Sequence, residues 1–140
     1  MAIFNQAVVD KRPVFAGTFG NKSIGVFKYT CAGEAIASEI IFGIVPKYAT
    51  VTNVTMVNAA LGASSTIAIG YRTAEVGGTM TAGAAYWIAA TATSSAARTV
   101  SQASAVPIQL TEAAYVSGVV AGGTVTGDVY VVVDYVYASK

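Results

Sequence analysis

The sequence predicts an all-β protein: a single β-sandwich or barrel of about eight short antiparallel strands, with an extended N-terminal arm. Three observations carry this. Short runs rich in β-branched and aromatic residues recur along the chain, the composition of a pleated, packed surface. Turn residues interrupt these runs every 8 to 12 or so positions, as in a sandwich or barrel. The final run, Asp128 to Ala138, is apolar on both of its faces, which fits a strand at the centre of a sandwich.

Residues 1–21 keep no sustained period, and Pro13 forbids a simple helix there. Ala16 to Ser23 is loop-like. Residues 1–21 therefore read as an extended arm and residues 22–140 as the sandwich domain. Ile3, Phe4, Val8, Val9, Val14 and Phe15 are too apolar for a solvated tail. The arm is expected to dock on its own domain or on a neighbour, and with Lys11 and Arg12 these are the candidate partner-binding residues.

Lys22 to Thr30 reads as a strand, with Ile24, Val26 and Lys28 on one face and Gly25, Phe27 and Tyr29 on the other. Cys31 to Val45 admits two helical turns or a strand. Gly33, Gly43 and Pro46 bracket it closely, which favours a strand from about Glu34 to Phe42. Pro46 closes a loop, and Ala49 to Ala60 is β-branched almost throughout. Leu61 to Ser65 is a turn. Thr66 to Arg72 is a strand with Ile67, Ile69 and Tyr71 on one face, so the pair is a hairpin or a sheet-to-sheet connection.

Thr73 to Ala84 is a loop built around Gly77-Gly78, and Ala85 to Thr93 is a strand. Ser94 to Ser104 is small and polar and reads as an exposed loop. Ala105 to Leu110 and Ala114 to Val120 are short strands, and Ala121 to Gly127 is a turn. In the last strand Tyr130, Val132 and Val136 share one face and Val129, Val131, Val133, Tyr135 and Tyr137 the other. Such a strand suits a sheet centre or a subunit interface, which makes Tyr130, Tyr135 and Tyr137 candidate oligomer-interface residues.

The composition speaks to function mostly by exclusion. A chain of 140 residues is most simply one domain that needs no metal or disulfide staple. Hydrophobic residues make up 54% and charged residues 11%, against about 25% charged in ordinary soluble domains. Disorder needs the opposite balance. So few charges leave a poorly solvated surface, so other protein is expected to cover much of it. The alternative is a monomer coated in Thr, Ser, Asn and Gly.

A net charge of +1 gives no electrostatic footprint for nucleic acid. Lys11, Arg12, Lys22 and Lys28 stand against one acid, Asp10, in the first 28 residues. This bias reads as a solvated terminal segment or, more sharply, as an arm that meets an acidic partner. No signal peptide or membrane span is evident, which leads to the expectation of synthesis in a cytoplasm and no membrane partner.

Histidine is absent, which removes the commonest general base and metal ligand. The seven acids form no D-x-D or E-x-x-E pattern, and the two carboxylates of a glycosidase could meet only through the fold. Gly77-Gly78 and Gly122-Gly123 lack the Lys-Ser/Thr or helix start of a phosphate loop and read as turns. Cys31, the single cysteine, has no histidine to activate it and reads as a buried small residue. Aromatics on strands are usually core or interface, although Tyr86, Trp87 and the Gly77 to Ala84 loop would suit a glycan site. The expectation is no enzyme, no cofactor and no metal.

Four stretches carry a resemblance: the run from Pro46 through "VTNV", "VNAALGASSTIAIGY", then "YWIAAT" from Tyr86, "VPIQLTE" from Val106 and "VAGGTVTGDVYVVVDYVY" from Val120. In this order the chain resembles small structural proteins of tailed bacteriophages, the capsid decoration or cement proteins with β-sandwich or jelly-roll folds. The likeness covers roughly residues 34–137 and leaves the arm outside. It implies a major capsid protein as partner, a site on the outside of the virion capsid, and a role clamping neighbouring capsomers. It also implies a homo-oligomer, dimer or trimer, of closed symmetry. An arm that adds a strand to a neighbour's sheet fits that role. A receptor- or glycan-binding module of a fibre, and a tail or head–tail connector component, are the competing readings.

Overall fold

The computed structural model describes residues 3–5 and 22–137, with the backbone alone for Ile3–Asn5 and Tyr137. Ten strands form: β1 (Ile3–Asn5), β2 (Lys22–Glu34), β3 (Glu39–Val45), β4 (Ala49–Asn58), β5 (Thr66–Thr73), β6 (Gly83–Ala92), β7 (Ala97–Val100), β8 (Ile108–Gln109), β9 (Ala114–Ala121) and β10 (Val125–Tyr137). They build two sheets. One runs β1-β3-β9-β5-β6, and the other runs β2-β10-β4-β7, with β8 following β7 along the same edge of β4.

Counting β7 and β8 as one broken strand, the eight strands from β2 to β10 give two interleaved four-stranded sheets. This is the jelly-roll order that the resemblance implies. Two details differ from the expectation of short antiparallel strands. β2 and β10 are 13 residues long, and β1 pairs with β3 in parallel, Ile3 opposite Glu39 and Asn5 opposite Ile41.

The alternation in β2 holds as expected: Ser23, Gly25, Phe27 and Cys31 point inward and Ile24, Val26 and Lys28 outward. β10 lies between β2 and β4, and its Val129, Val131, Val133 and Tyr135 are sealed in the core. Phe42, Ile40, Ile67, Ile69 and Trp87 meet them from the other sheet. Each such side chain taken fully out of water contributes about 1.5–3 kcal/mol of transfer free energy.

Three expectations need correction. The strand from Glu34 to Phe42 does not exist. The chain turns over Ala35–Ser38, where Ser38 donates to the Ala35 carbonyl and Ala37 takes a left-handed φ of 69°. Glu34 ends β2 by accepting the amide of Ala32, and β3 starts in the opposite sheet. The stretch Ser94 to Ser104 is not wholly loop: Ala97–Val100 pairs with β4 as an edge strand. The strand expected over Ala105 to Leu110 shrinks to Ile108–Gln109. The connection between β4 and β5, left open by the sequence, passes from one sheet to the other.

Candidate partner-binding surface

The two outer faces of the sandwich differ. On the β2-β10-β4-β7 sheet, residues directly opposite one another across antiparallel strands share a face. One outward row therefore runs Lys28, Tyr130, Val57, Arg98, and the next runs Val26, Val132, Thr55, Val100. A third row places Ile24 beside Asp134 and Asn53. Ile24 and Val26 are 55% and 62% exposed and Val100 is 53% exposed, all high for branched apolar residues.

Charges frame this face. On the β2 side Lys22 pairs with Asp134 at 3.0 Å and Lys28 with Asp128 at 3.3 Å. Lys28 also sits 5.6 Å from the centre of the Tyr130 ring. The Thr30 hydroxyl and then Lys28 hold the Asp128 carboxyl below its ordinary value, and Asp128 in turn raises Lys28. Arg98, at the β7 side, has no ion-pair partner among the described residues.

The other sheet carries a groove of about 220 Å³ lined by Glu39, Tyr71, Arg72, Ala82, Ala84, Ser117 and Val119. Its one carboxylate, Glu39, is neutralised by Arg72 at 3.0 Å. The guanidinium also lies 5.5 Å from the Tyr115 ring centre. Carboxylates do not converge on this groove, so it offers no general acid and base pair.

The remaining acids are held by structure. Glu112 accepts the Thr73 hydroxyl at 2.6 Å and the amides of Thr79 and Met80 at 2.7 and 3.2 Å, and so clasps the β5–β6 loop. These donors, Thr73 foremost, bring its carboxyl from 4.5 down to about 2. Glu34, nearly buried, accepts the Tyr29 hydroxyl at 2.9 Å. Burial, with Glu34 nearby, pushes the Cys31 thiol up to about 12, so it is the inert residue expected. Among the described residues no group of three or more His, Cys, Asp or Glu could hold a metal ion. No helix of the described residues is long and apolar enough to cross a membrane.

The sequence-derived candidates separate as follows. Ile3 and Phe4 lie in β1, whose backbone pairs with the chain's own β3. Val8, Val9, Lys11, Arg12, Val14 and Phe15 lie outside the described residues. Tyr130 faces outward at 36% exposure. Tyr135 does not: it is 1% exposed in the core, because the even–odd alternation of β10 sends it inward with Val133, and it cannot reach a partner. Tyr137 ends β10, and its side chain is outside the description. Trp87 is fully buried, its ring tilted against Tyr71 with centres 5.2 Å apart, which removes it from any glycan platform. Sequence reasoning missed Val57, Val100 and Arg98, because only the pairing of β10 with β4 and of β4 with β7 puts them on the face that carries Tyr130.

No family model and no curated protein matches the sequence. Solved structures do. The sandwich has the fold of chains from phage capsids. A chain of the capsid of Ralstonia phage GP4 superposes with a TM-score of 0.81 at 18% identity, over 99% of this chain and 100% of that one. A chain of the cyanophage Pam1 capsid asymmetric unit gives 0.63 at 21% identity, over 89% and 90%. One from the acidic stable capsid structure of Helicobacter pylori bacteriophage KHP30 gives 0.59 at 14%, over 87% and 92%. At these identities the likeness establishes the jelly-roll fold.

Proposed function

We propose that the chain is a non-catalytic structural protein of a phage virion, which binds the outside of the capsid and cements neighbouring capsomers. The observation that carries this is the match over 99% of this chain and 100% of a chain from the capsid of Ralstonia phage GP4. The physical character of the molecule supports it. Among the described residues the carboxylates are tied into ion pairs and hydrogen bonds, Cys31 is buried, and five large apolar side chains stand exposed on one sheet face. Holding a shell together requires contact area and no titrating site. On this reading the partner is the major capsid protein, the protein assembles as a dimer or trimer at a symmetry axis, and it is made in the host cytoplasm. The arm, residues 1–21, adds a further contact.

Electron microscopy of particles made with and without the protein tests the reading. Added density over the shell is expected. Density confined to the tail vertex would reassign the protein to the connector, and no change in the particle would remove it from the virion. Deleting residues 1–21 should weaken shell binding, and unchanged binding would exclude the arm from the contact.

A further inference from the structure

The outer face of the β2-β10-β4-β7 sheet gathers five of the eight large apolar side chains exposed among the described residues: Ile24, Val26, Val57, Val100 and Tyr130. The three others, Ile36, Val76 and Tyr86, are scattered over turns and the far sheet. Cross-strand pairing sets the five on one face, its central row running from exposed Val26 through half-buried Val132 and buried Thr55 to exposed Val100. An apolar plane of this kind, rimmed by charge, marks a protein contact.

We propose that this face docks on a second protein's surface that is apolar at its centre and presents a carboxylate opposite Arg98. Under the virion reading, on which this inference rests, that surface belongs to the capsid shell. Charge selects the occupant. Arg98 projects from this face beside Val57 and is the one basic residue among the described residues without an ion-pair partner. Every described carboxylate is already engaged: Glu39, Glu75, Asp128 and Asp134 by cations, and Glu34 and Glu112 by hydroxyl and amide donors. Within the described residues a second copy therefore offers Arg98 only carboxylates that already have partners; its remaining acid, Asp10, lies outside them. Area points the same way. Four strands about 4.8 Å apart, carrying three rows of outward side chains about 6.8 Å apart, give a face of roughly 400 Å². A stable two-body complex covers about 800 Å² per partner, so this face suits a partner that is also held elsewhere.

The test is co-sedimentation with shells of the encoding phage assembled without this protein. Wild type and Val76→Glu, on a remote loop, are expected to pellet with the shells. Val57→Glu and Arg98→Glu should bind at least roughly tenfold more weakly, because each puts an unpaired carboxylate into the contact. Trp87 fluorescence reports the fold of each variant, and exposed Arg98 keeps the test decisive even if Val57→Glu unfolds. If both face variants pellet like wild type, the face is not the docking surface while the virion reading stands. If wild type itself stays in solution, the virion reading fails and this inference with it. If the face variants change the mass of the free protein by analytical ultracentrifugation and leave shell binding intact, the occupant is a second copy and the proposal is overturned.

Discussion

Glu112 and Cys31 are two titrating groups whose surroundings strongly change their chemistry. The Glu112 carboxyl titrates at about 2 in the folded protein against an ordinary 4.5. The folded value lies below the unfolded one, so the contribution of the clasp to stability is whole above about pH 4.5 and fades as pH falls toward 2. Glu112→Gln should lower the melting temperature at pH 7, and the gap to wild type should close over that acid window in thermal scans. A gap that does not change with pH would take the carboxylate out of the clasp. Cys31 works in the other direction. With its thiol at about 12 against an ordinary 9.0, the thiolate at pH 8 is depleted roughly a thousandfold. Ellman's reagent should modify it only after urea unfolds the chain, and prompt modification of the native protein would contradict its burial. The inert cysteine was legible, because a chain without histidine leaves a thiol nothing to activate it. The clasp was not, because its donors lie 32 to 39 positions upstream of Glu112 and only the fold brings them together.

Among the elements, strands with strong alternation read correctly from sequence and irregular ones did not. β2 and β10 follow the two-residue period, and burial separates their faces as expected, whereas β5 is buried on both faces from Ile67 to Tyr71. The turn at Ala35–Ser38 escaped notice because it uses Ala37 where a glycine or asparagine would have signalled it. β7 escaped because an edge strand exposed on both sides carries no alternation to detect. Gly70 explains another irregularity. The pairing of β5 with β6 shifts register on both sides of Ile69, and at Gly70 the backbone of Gly83 and Ala84 comes so near that a Cβ would overlap the Gly83 carbonyl. Gly70→Ala should cost about 1–3 kcal/mol in urea denaturation followed by Trp87 fluorescence. An unchanged midpoint would mean that β6 can move away freely. Faces within elements make a paired prediction. Ile40→Ala, which empties a fully buried site, should cost about 2–5 kcal/mol. Ile24→Ala, on the bare outer face, should stay within about 0.5 kcal/mol. Similar costs for both would contradict the assignment of inside and outside.

At the scale of the whole molecule, composition led to the expectation of apolar surface covered by other protein, and the pairing of four strands brings five of the eight exposed large apolar side chains of the described residues onto one face. No residue-level signal could have joined Ile24, Val57 and Val100, which are spread over some seventy-five positions of sequence. The same interleaving has a consequence for how the chain is made. Thr30 of β2 pairs with Asp128 of β10, 98 positions later, and β10 separates β2 from β4 in the finished sheet. Until β10 has been synthesised, those two strands have no ladder to join them, and the opposite sheet lacks the wall against which its core packs. Folding should therefore wait on the ribosome and then proceed slowly, on the millisecond-to-second scale typical of all-β domains with remote pairings. Nascent chains that stall before Val125 would expose unpaired strand edges, and they should be the species that chaperones capture or that aggregate.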